Sequence, residues 1–121
     1  MKKEYIKLDH SNKAEKGVVG AYEFEDHGHF VIYIPSLNIS SYGSNKNEAR
    51  EMLNESLDDF FQSMLYYDPE VAHYEMLKLG WKRDKLFKKK INDPPYVDVN
   101  GVLRDFDLSE DTKITQALIE V

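Results

Sequence analysis

The residues best suited to chemistry in this chain are two histidines and two carboxylates gathered around a single turn. His27 and His29 are separated by one residue and directly follow Glu25 and Asp26. Imidazole and carboxylate groups are the donors that a divalent transition metal takes, so this cluster is a candidate metal site. Clusters of polar residues also mark the solvated tips of β-hairpins. We favour the turn interpretation and assign no metal ligand and no cofactor.

A group of cations lies between residues 78 and 90, where seven basic residues stand against Asp84 alone and give a local charge of +6. Trp81 and Phe87 within it are of the type that stacks on nucleic-acid bases. The segment therefore predicts, as an alternative function, a nucleic-acid-binding surface. Lysine is also common on edge strands, where it discourages aggregation, so a structural role is the competing interpretation. The candidate nucleic-acid contacts are Lys82, Arg83, Lys85, Lys88, Lys89 and Lys90.

Residues 48–75 carry the opposite charge, with eight acidic side chains against Arg50. The 121 residues have a formal net charge of −6, which makes free DNA or RNA a poor partner for most of the surface. An acidic surface suits a basic protein partner, and tyrosine is enriched at protein interfaces. Tyr66-Tyr67 after the acidic helix is equally compatible with capping the core. The predicted partner-binding residues are Glu51, Glu55, Asp58, Asp59, Tyr66 and Tyr67.

Composition limits the remaining classes of chemistry and of location. The chain has no cysteine, which excludes disulfides, thiolate nucleophiles and zinc–thiolate sites. No Gly-rich phosphate loop or nucleophile elbow occurs. Hydrophobic residues make up 41% of the chain, and no apolar run reaches the length of a signal sequence or a spanning helix. We therefore expect one globular domain over residues 1–121, without membrane contact and in the cytoplasm.

The first third of the chain has the pattern of a β-hairpin. Residues 18–25 and 29–34 are rich in β-branched and aromatic side chains and flank Asp26-His27-Gly28, a composition typical of a tight turn. The second strand is apolar on nearly all of both faces, so we expect it to be central in the sheet and covered on both sides. Pro35 should end it, and residues 39–42 predict a third strand paired antiparallel to it.

The acidic stretch belongs to an amphipathic helix with a recognisable start. Asn45 can accept a hydrogen bond from the backbone of Glu48, whose carboxylate reaches back, as in a capping box. Apolar residues then recur at spacings of three and four over residues 49–65, which places one stripe against a sheet and leaves the acids on the other face.

Four further elements are predicted in the remainder of the chain. A short helix starts at Asp68-Pro69 and runs to about Leu79, before Gly80. Residues 81–91 read as an extended, charged segment with its large apolar side chains on one side. Residues 96–99 and 102–106 enclose Asn100-Gly101, the dipeptide best suited to a type I′ hairpin. Residues 113–121 predict a last strand. The apolar side chains of the extended segment are Trp81, Phe87 and Ile91.

Several of these patterns follow one another in a specific order. A hairpin turning at Asp26-His27-Gly28 leads to a strand ending in Tyr33-Ile34-Pro35-Ser36-Leu37, and Gly43-Ser44-Asn45 then leads into Glu48-Ala49. Over roughly residues 17–65 this order resembles the HicB antitoxin family. The resemblance implies an α+β fold with a β-β-β-α-β core shaped like a truncated ribonuclease H fold. The core would span residues 17–67, and residues 68–121 would form a C-terminal extension of helix, basic segment, hairpin and strand.

The resemblance also implies a function without catalysis. A HicB-like antitoxin binds and neutralises a small HicA-type toxin that cleaves mRNA, so we expect a basic toxin protein as partner, bound by occlusion, and no enzymatic activity. Strand edges in an open sheet further predict a homo-oligomer such as a dimer. The family's Pro-Gly-Cys is replaced here by Asn38-Ile39-Ser40, and residues 91–121 lack its C-terminal DNA-binding motif, which argues against DNA binding.

The fold analogy raises one catalytic alternative, a two-metal nuclease site. Such a site requires carboxylates that converge from the first strand of the hairpin and from the helix. Glu23 and Glu25 share a strand face, but Asp58 and Asp59 lie on the predicted solvent side of the helix. We therefore favour a charged surface over a catalytic site.

Overall fold

A computed structural model describes residues 4–87, 89–92, 94 and 96–121 of the chain. Within these residues it has a mixed α+β architecture, with one seven-stranded antiparallel sheet and three α-helices. The strands are β1 (Tyr5–Asp9), β2 (Ala14–Asp26), β3 (His29–Ile34), β4 (Ile39–Gly43), β5 (Lys82–Arg83), β6 (Lys90–Asn92) and β7 (Thr115–Glu120). The helices are α1 (Lys46–Tyr66), α2 (Pro69–Lys78) and α3 (Val99–Asp105).

The long strand β2 organises the whole sheet. Val18 pairs both with β1 and with β7, and Tyr22 pairs both with β3 and with β7. Because a strand has only two edges, β7 lies along one edge of β2 while β1 and β3 share the other, end to end. β4 extends the sheet beyond β3, and β6 and β5 extend it beyond β1.

The main core lies between the sheet and α1. Ile32 and Ile34 of β3 are buried on this side, against a stripe of α1 that includes Leu53, Leu57 and Phe61. α1 also contacts β4 closely, since the hydroxyl of Ser41 donates to the Ala49 carbonyl at 2.8 Å. This burial confirms the predicted apolar face of the helix. None of the helices among the described residues is long and apolar enough to cross a membrane.

A second, smaller core lies on the opposite face of the sheet. Phe24 and Val31 are buried there under Val102 of α3. Phe106 packs edge-on against Phe24 at 5.1 Å and against Tyr33 at 4.9 Å between ring centroids. β3 is thus an interior strand with a helix on each side, as the apolar residues on both of its faces predicted.

Several elements form where short stretches of sequence predicted them. His27 and Gly28 adopt φ of 51° and 82°, the left-handed pair that a two-residue type I′ turn requires. β3, β4 and α2 form where the sequence predicted them. The last strand also forms, as β7, and it joins the main sheet through β2.

The predicted hairpin around Asn100-Gly101 is wrong, because residues 99–105 form α3 instead. Asp98 caps this helix by accepting a hydrogen bond from the Gly101 N–H at 2.8 Å. Val102 is fully buried in the second core. Burial of this apolar side chain favours the helix over the hairpin that Asn100-Gly101 would form by itself. Gly101 keeps a negative φ and serves close packing, since a Cβ there would lie 3.0 Å from Val97.

The prediction of one extended segment over residues 81–91 is also wrong. The chain forms the short antiparallel strands β5 and β6 and turns between them. Asp84 holds the turn, as its carboxylate accepts hydrogen bonds from the N–H groups of Leu86 and Phe87 at 2.8 and 2.9 Å. Trp81 and Ile91 are buried, but Phe87 sits on the turn and is 60% exposed, so the three do not share one side.

The sequence interpretation missed β1 and the beginning of β2. Ile6 and Leu8 alternate with polar residues and are buried against the main core, a pattern too short to stand out by itself. β1 pairs antiparallel with β2, and Lys13 in the loop that joins them takes a left-handed conformation. The hairpin therefore begins at residue 14 and not at residue 18.

Candidate partner-binding surface

The start of α1 is set by two hydrogen bonds between side chains and backbone N–H groups. The Asn45 side chain accepts from the Glu48 N–H at 3.0 Å, and the Glu48 carboxylate accepts from the Ser44 N–H at 2.8 Å. The predicted Asn45 cap is confirmed, and the Glu48 carboxylate reaches back as predicted, but to the residue before the cap and not to Asn45 itself as in a standard capping box. By fixing the first turn it fixes which residues of the following 21-residue helix face the sheet and which face solvent.

The outward side of α1 forms a continuous acidic face, defined here by Glu51, Glu55, Asp58 and Asp59. All four side chains are exposed. At 3.6 residues per turn they fall within an arc of about 100°. None of them forms an ion pair with any residue that the structure describes. The acidic face therefore presents charge that this part of the chain does not neutralise.

Tyr66 extends the acidic face toward the end of the helix. It falls in the same arc of α1, and its side chain is 72% exposed. The Lys13 ammonium lies 5.3 Å from its ring centroid and donates to the Leu65 carbonyl at 2.8 Å, which satisfies one of the last carbonyls of the helix. Tyr67, the next residue, is also exposed. The residues predicted to bind a partner thus lie together along one helix and its end.

Sequence reasoning overlooked an exposed apolar stripe on α2. Val71, Tyr74 and Leu77 are all exposed, and their spacing of three keeps them on one side of the helix. The signal was present in the sequence as apolar residues at a spacing of three, but only the bounds of this helix were predicted and not its faces. α2 begins three residues after α1 ends, so this stripe closely follows the acidic face along the chain.

The cations of the basic segment, residues 78–90, have different neighbours in the fold. Arg83 lies 3.7 Å from Glu70 of α2, and Lys89 lies 3.3 Å from Asp9 of β1. The Lys90 ammonium stands 5.1 Å from the ring centroid of Tyr5. These three cations therefore already contact acidic or aromatic groups of this chain.

Other members of the basic segment remain at the surface. Lys82 and Lys85 are exposed and form no ion pair with a described residue. Lys88 lies outside the described residues. Trp81 is only 1% exposed, and its indole N–H donates to the Ser36 carbonyl at 2.7 Å, so it is a core residue and not a stacking platform.

The four carboxylates of the catalytic alternative do not converge. Glu23 is 6% exposed and pairs with Lys46 in the first turn of α1 at 3.2 Å. Asp58 and Asp59 lie three turns further on, about 18 Å along the helix axis. Among the described residues no group of three or more His, Asp or Glu side chains is placed to hold a metal ion.

The two histidines of the hairpin have ordinary surroundings. The His27 ring hydrogen-bonds the adjacent Asp26 carboxylate at 2.6 Å and is exposed. The His29 ring packs edge-on against Tyr42 of β4, with 5.9 Å between centroids. Both therefore act as turn and surface residues in the described structure.

One shallow cleft of about 200 Å³ lies between α2 and the β5–β6 turn. His10, His73, Arg83 and Lys89 line it, together with Glu70. Burial lowers the pKa of His73, and the positive charge of Arg83 lowers it further. The cleft is therefore lined by a mixture of paired charges and a histidine held toward its neutral form.

Comparison of the chain with protein-family models, with curated proteins and with solved structures finds no significant match. Function must therefore be argued from the surface itself. Its most distinctive feature is the acidic face of α1, whose charge no described residue neutralises.

Proposed function

We propose that this chain is a HicB-like antitoxin, a non-catalytic cytoplasmic protein that binds and neutralises a small basic, mRNA-cleaving toxin of the HicA type. Residues 17–67 are its HicB-like core, and the acidic face of α1 is its binding surface. The observation that carries the proposal is that the acidic face is exposed, contiguous and without ion-pair partners among the described residues.

Electrostatics supports a basic partner in particular. Uncompensated carboxylates on a rigid helix raise the association rate of an oppositely charged protein and exclude acidic ones. Tyr66 at the end of the same face supplies an aromatic side chain of the kind that anchors interfaces. Binding there neutralises an RNA-cleaving protein by covering the cationic surface with which it holds RNA.

The order of elements supports the family part of the proposal. A type I′ hairpin, a third strand and a capped helix follow one another as β2, β3, β4 and α1. After the helices, outside residues 17–67, β7 adds a strand directly beside β2. Glu23 pairs with Lys46 at the start of α1 and is therefore far from Asp58. This separation supports a protein that acts by covering its partner over one that cleaves nucleic acid at a two-metal site.

The test begins with the tagged chain purified from its native cell after nuclease treatment, with retained proteins identified by mass. The retained candidate is then expressed alone and together with this chain. We expect a small basic protein that arrests growth when alone, and growth restored by the wild-type chain.

The decisive comparison uses two variants of equal charge change. Glu51→Lys/Glu55→Lys/Asp58→Lys reverses the acidic face, and Glu25→Lys/Asp105→Lys/Glu110→Lys reverses three exposed carboxylates elsewhere. We expect the first to lose binding and rescue while the second keeps both. Equal loss in the two variants, or rescue by both, would contradict the acidic face as the binding surface.

A second candidate function is nucleic-acid binding through residues 78–90, which is favoured by Lys82 and Lys85, both exposed and without an ion pair to any described residue. It predicts binding that weakens steeply with salt, because phosphate contacts release counterions. Lys82→Glu/Lys85→Glu should abolish that binding, as measured by fluorescence anisotropy with labelled RNA and DNA. Absence of salt-dependent binding by the wild-type chain would end this candidate.

A further inference from the structure

The outer edge of β7 presents an unpaired row of backbone groups. The Val121 N–H donates to the Gly17 carbonyl at 3.0 Å, which places alternate residues of β7 toward β2. The N–H and C=O groups of Gln116, Leu118 and Glu120 therefore point away from the sheet. None of them forms a hydrogen bond with any described residue.

β7 also lacks the features that usually protect an edge. It is six residues long and contains no lysine and no proline. The edge strand β5 at the far end of the sheet is two residues long and consists of Lys82 and Arg83. Leu118, in the middle of β7, is 49% exposed. The outer edge of β7 thus combines unprotected backbone groups with an exposed apolar side chain.

Pairing of this edge with itself is complementary in one register. If two copies of β7 align antiparallel about Leu118, the outward groups of Gln116, Leu118 and Glu120 all find partners. Leu118 then lies opposite its own copy on the face of the sheet that carries α3. Gln116 lies opposite Glu120 of the other copy, where its amide can donate to the carboxylate.

Other symmetric registers are less favourable. Centring the pair on Ala117 or on Ile119 would place Leu118 opposite the polar Gln116 or Glu120 of the other copy. Centring the pair on Glu120 would place two carboxylates directly opposite each other, which destabilises a strand pair. Centring it on Gln116 would leave Glu120 beyond the paired region and Leu118 away from its copy. Charge and apolar burial therefore both select Leu118 as the centre.

We propose that the chain forms a symmetric homodimer in which β7 pairs antiparallel with β7 of a second copy about Leu118, joining the two sheets into one. The proposal does not depend on the proposed antitoxin function, because the acidic face belongs to α1 and not to this edge. The charge-reversal variant of the acidic face should therefore dimerise like the wild type.

The absence of cysteine from the chain allows a direct test of the register. In a hydrogen-bonded antiparallel pair the Cα atoms lie about 5.5 Å apart, within the range of a disulfide. Leu118→Cys should therefore form an intermolecular disulfide under mild oxidation, seen on a non-reducing gel. Glu120→Cys is the control, because the Cα atoms of its two copies would lie about 14 Å apart, beyond the range of a disulfide.

Sedimentation of the full chain over a range of concentrations tests the dimer without cross-linking. We expect dimers in the wild type and monomers in Leu118→Lys, which places two ammonium groups at the twofold axis. Leu86→Lys, a matched change at another exposed leucine, should leave the dimer intact.

Two outcomes would overturn the proposal. A wild-type chain that remains monomeric at high micromolar concentration excludes self-pairing and leaves the edge for a strand of a different protein. A dimer that persists in Leu118→Lys, or that cross-links through Glu120→Cys and not through Leu118→Cys, excludes this interface or this register.

Discussion

The carboxylate of Glu4 accepts a hydrogen bond from the backbone N–H of Gly20 at 2.6 Å. β1 and β3 lie end to end along one edge of β2, and Gly20 falls in the gap between them. On that edge, therefore, no strand pairs with Gly20. The same Glu4 oxygen accepts from the Ser36 hydroxyl at 3.0 Å. One side chain thus bridges the junction at which two strands share an edge.

Removing this acceptor should destabilise the fold measurably. We expect Glu4→Ala to lower the free energy of unfolding by about 1 to 3 kcal/mol, because a partly buried N–H loses its partner. Glu4→Gln keeps a carbonyl oxygen in place and should cost less. Urea unfolding followed through the fluorescence of Trp81, the chain's one tryptophan, measures both. An equal loss in the two variants would contradict the role of the acceptor.

The corner between β4 and α1 requires a glycine at residue 43. A Cβ there would lie 2.5 Å from the Glu48 Cβ and 2.7 Å from the Ala49 nitrogen. We expect Gly43→Ala to cost about 1 to 3 kcal/mol of unfolding free energy, since the helix must shift away from the strand. Gly28→Asn is the control, because Gly28 faces open space and asparagine tolerates its positive φ. The prediction fails if the control is the more damaging change.

The cap of α3 should decide whether the second core forms fully. Asp98→Ala removes the acceptor for the Gly101 N–H and should cost about 1 kcal/mol, while Asp98→Asn should retain most of the stability. Hydrogen exchange of the α3 amides should accelerate in the alanine variant before that of α1. Unchanged exchange in α3 would show that burial of Val102 suffices without the cap.

Tyr22 should make the fold sensitive to alkali. Burial raises its pKa from 10.0 to about 12, and its hydroxyl donates to the Val97 carbonyl. The folded state therefore holds this proton more tightly than the unfolded state, so the stabilisation is present below about pH 10 and is lost as the pH rises toward 12. Tyr22→Phe should be less stable at pH 7 but lose less stability between pH 10 and 12.

The matched control for the alkaline experiment is Tyr74→Phe, at an exposed tyrosine of α2. Unfolding free energies measured by urea titration at each pH should give this control the slope of the wild type. A Tyr22→Phe variant that loses stability between pH 10 and 12 as steeply as the wild type would show that another group dominates alkaline unfolding.

The elements that could be predicted are those whose signals are local. The His27-Gly28 turn and the Asn45 cap each depend on residues within four positions of one another, and α1 follows from the spacing of its own apolar side chains. The exposure of Glu51 and Tyr66 follows from the same spacing. The acidic face was therefore predictable as a face, although its partner was not.

The failures came where distant residues outweighed a local preference. Asn100-Gly101 favours a two-residue hairpin by itself, but the helix buries Val102 against Phe24 and Val31, residues some 70 positions away. β1 carries only Ile6 and Leu8 as a signal and becomes a strand because β2 offers it an edge. Burial energy from such contacts is not encoded in any short window of sequence.

By itself the sequence determined the charge of each segment, the first hairpin, the two faces of α1 and the absence of thiol chemistry, since these follow from residue type and short-range spacing. Only the tertiary structure decided that β7 lies along one edge of β2 while β1 and β3 share the other, and that no described residue pairs with the outer edge of β7. Strand pairing joins residues far apart in the chain, so the choice of edge depends on how every element packs together.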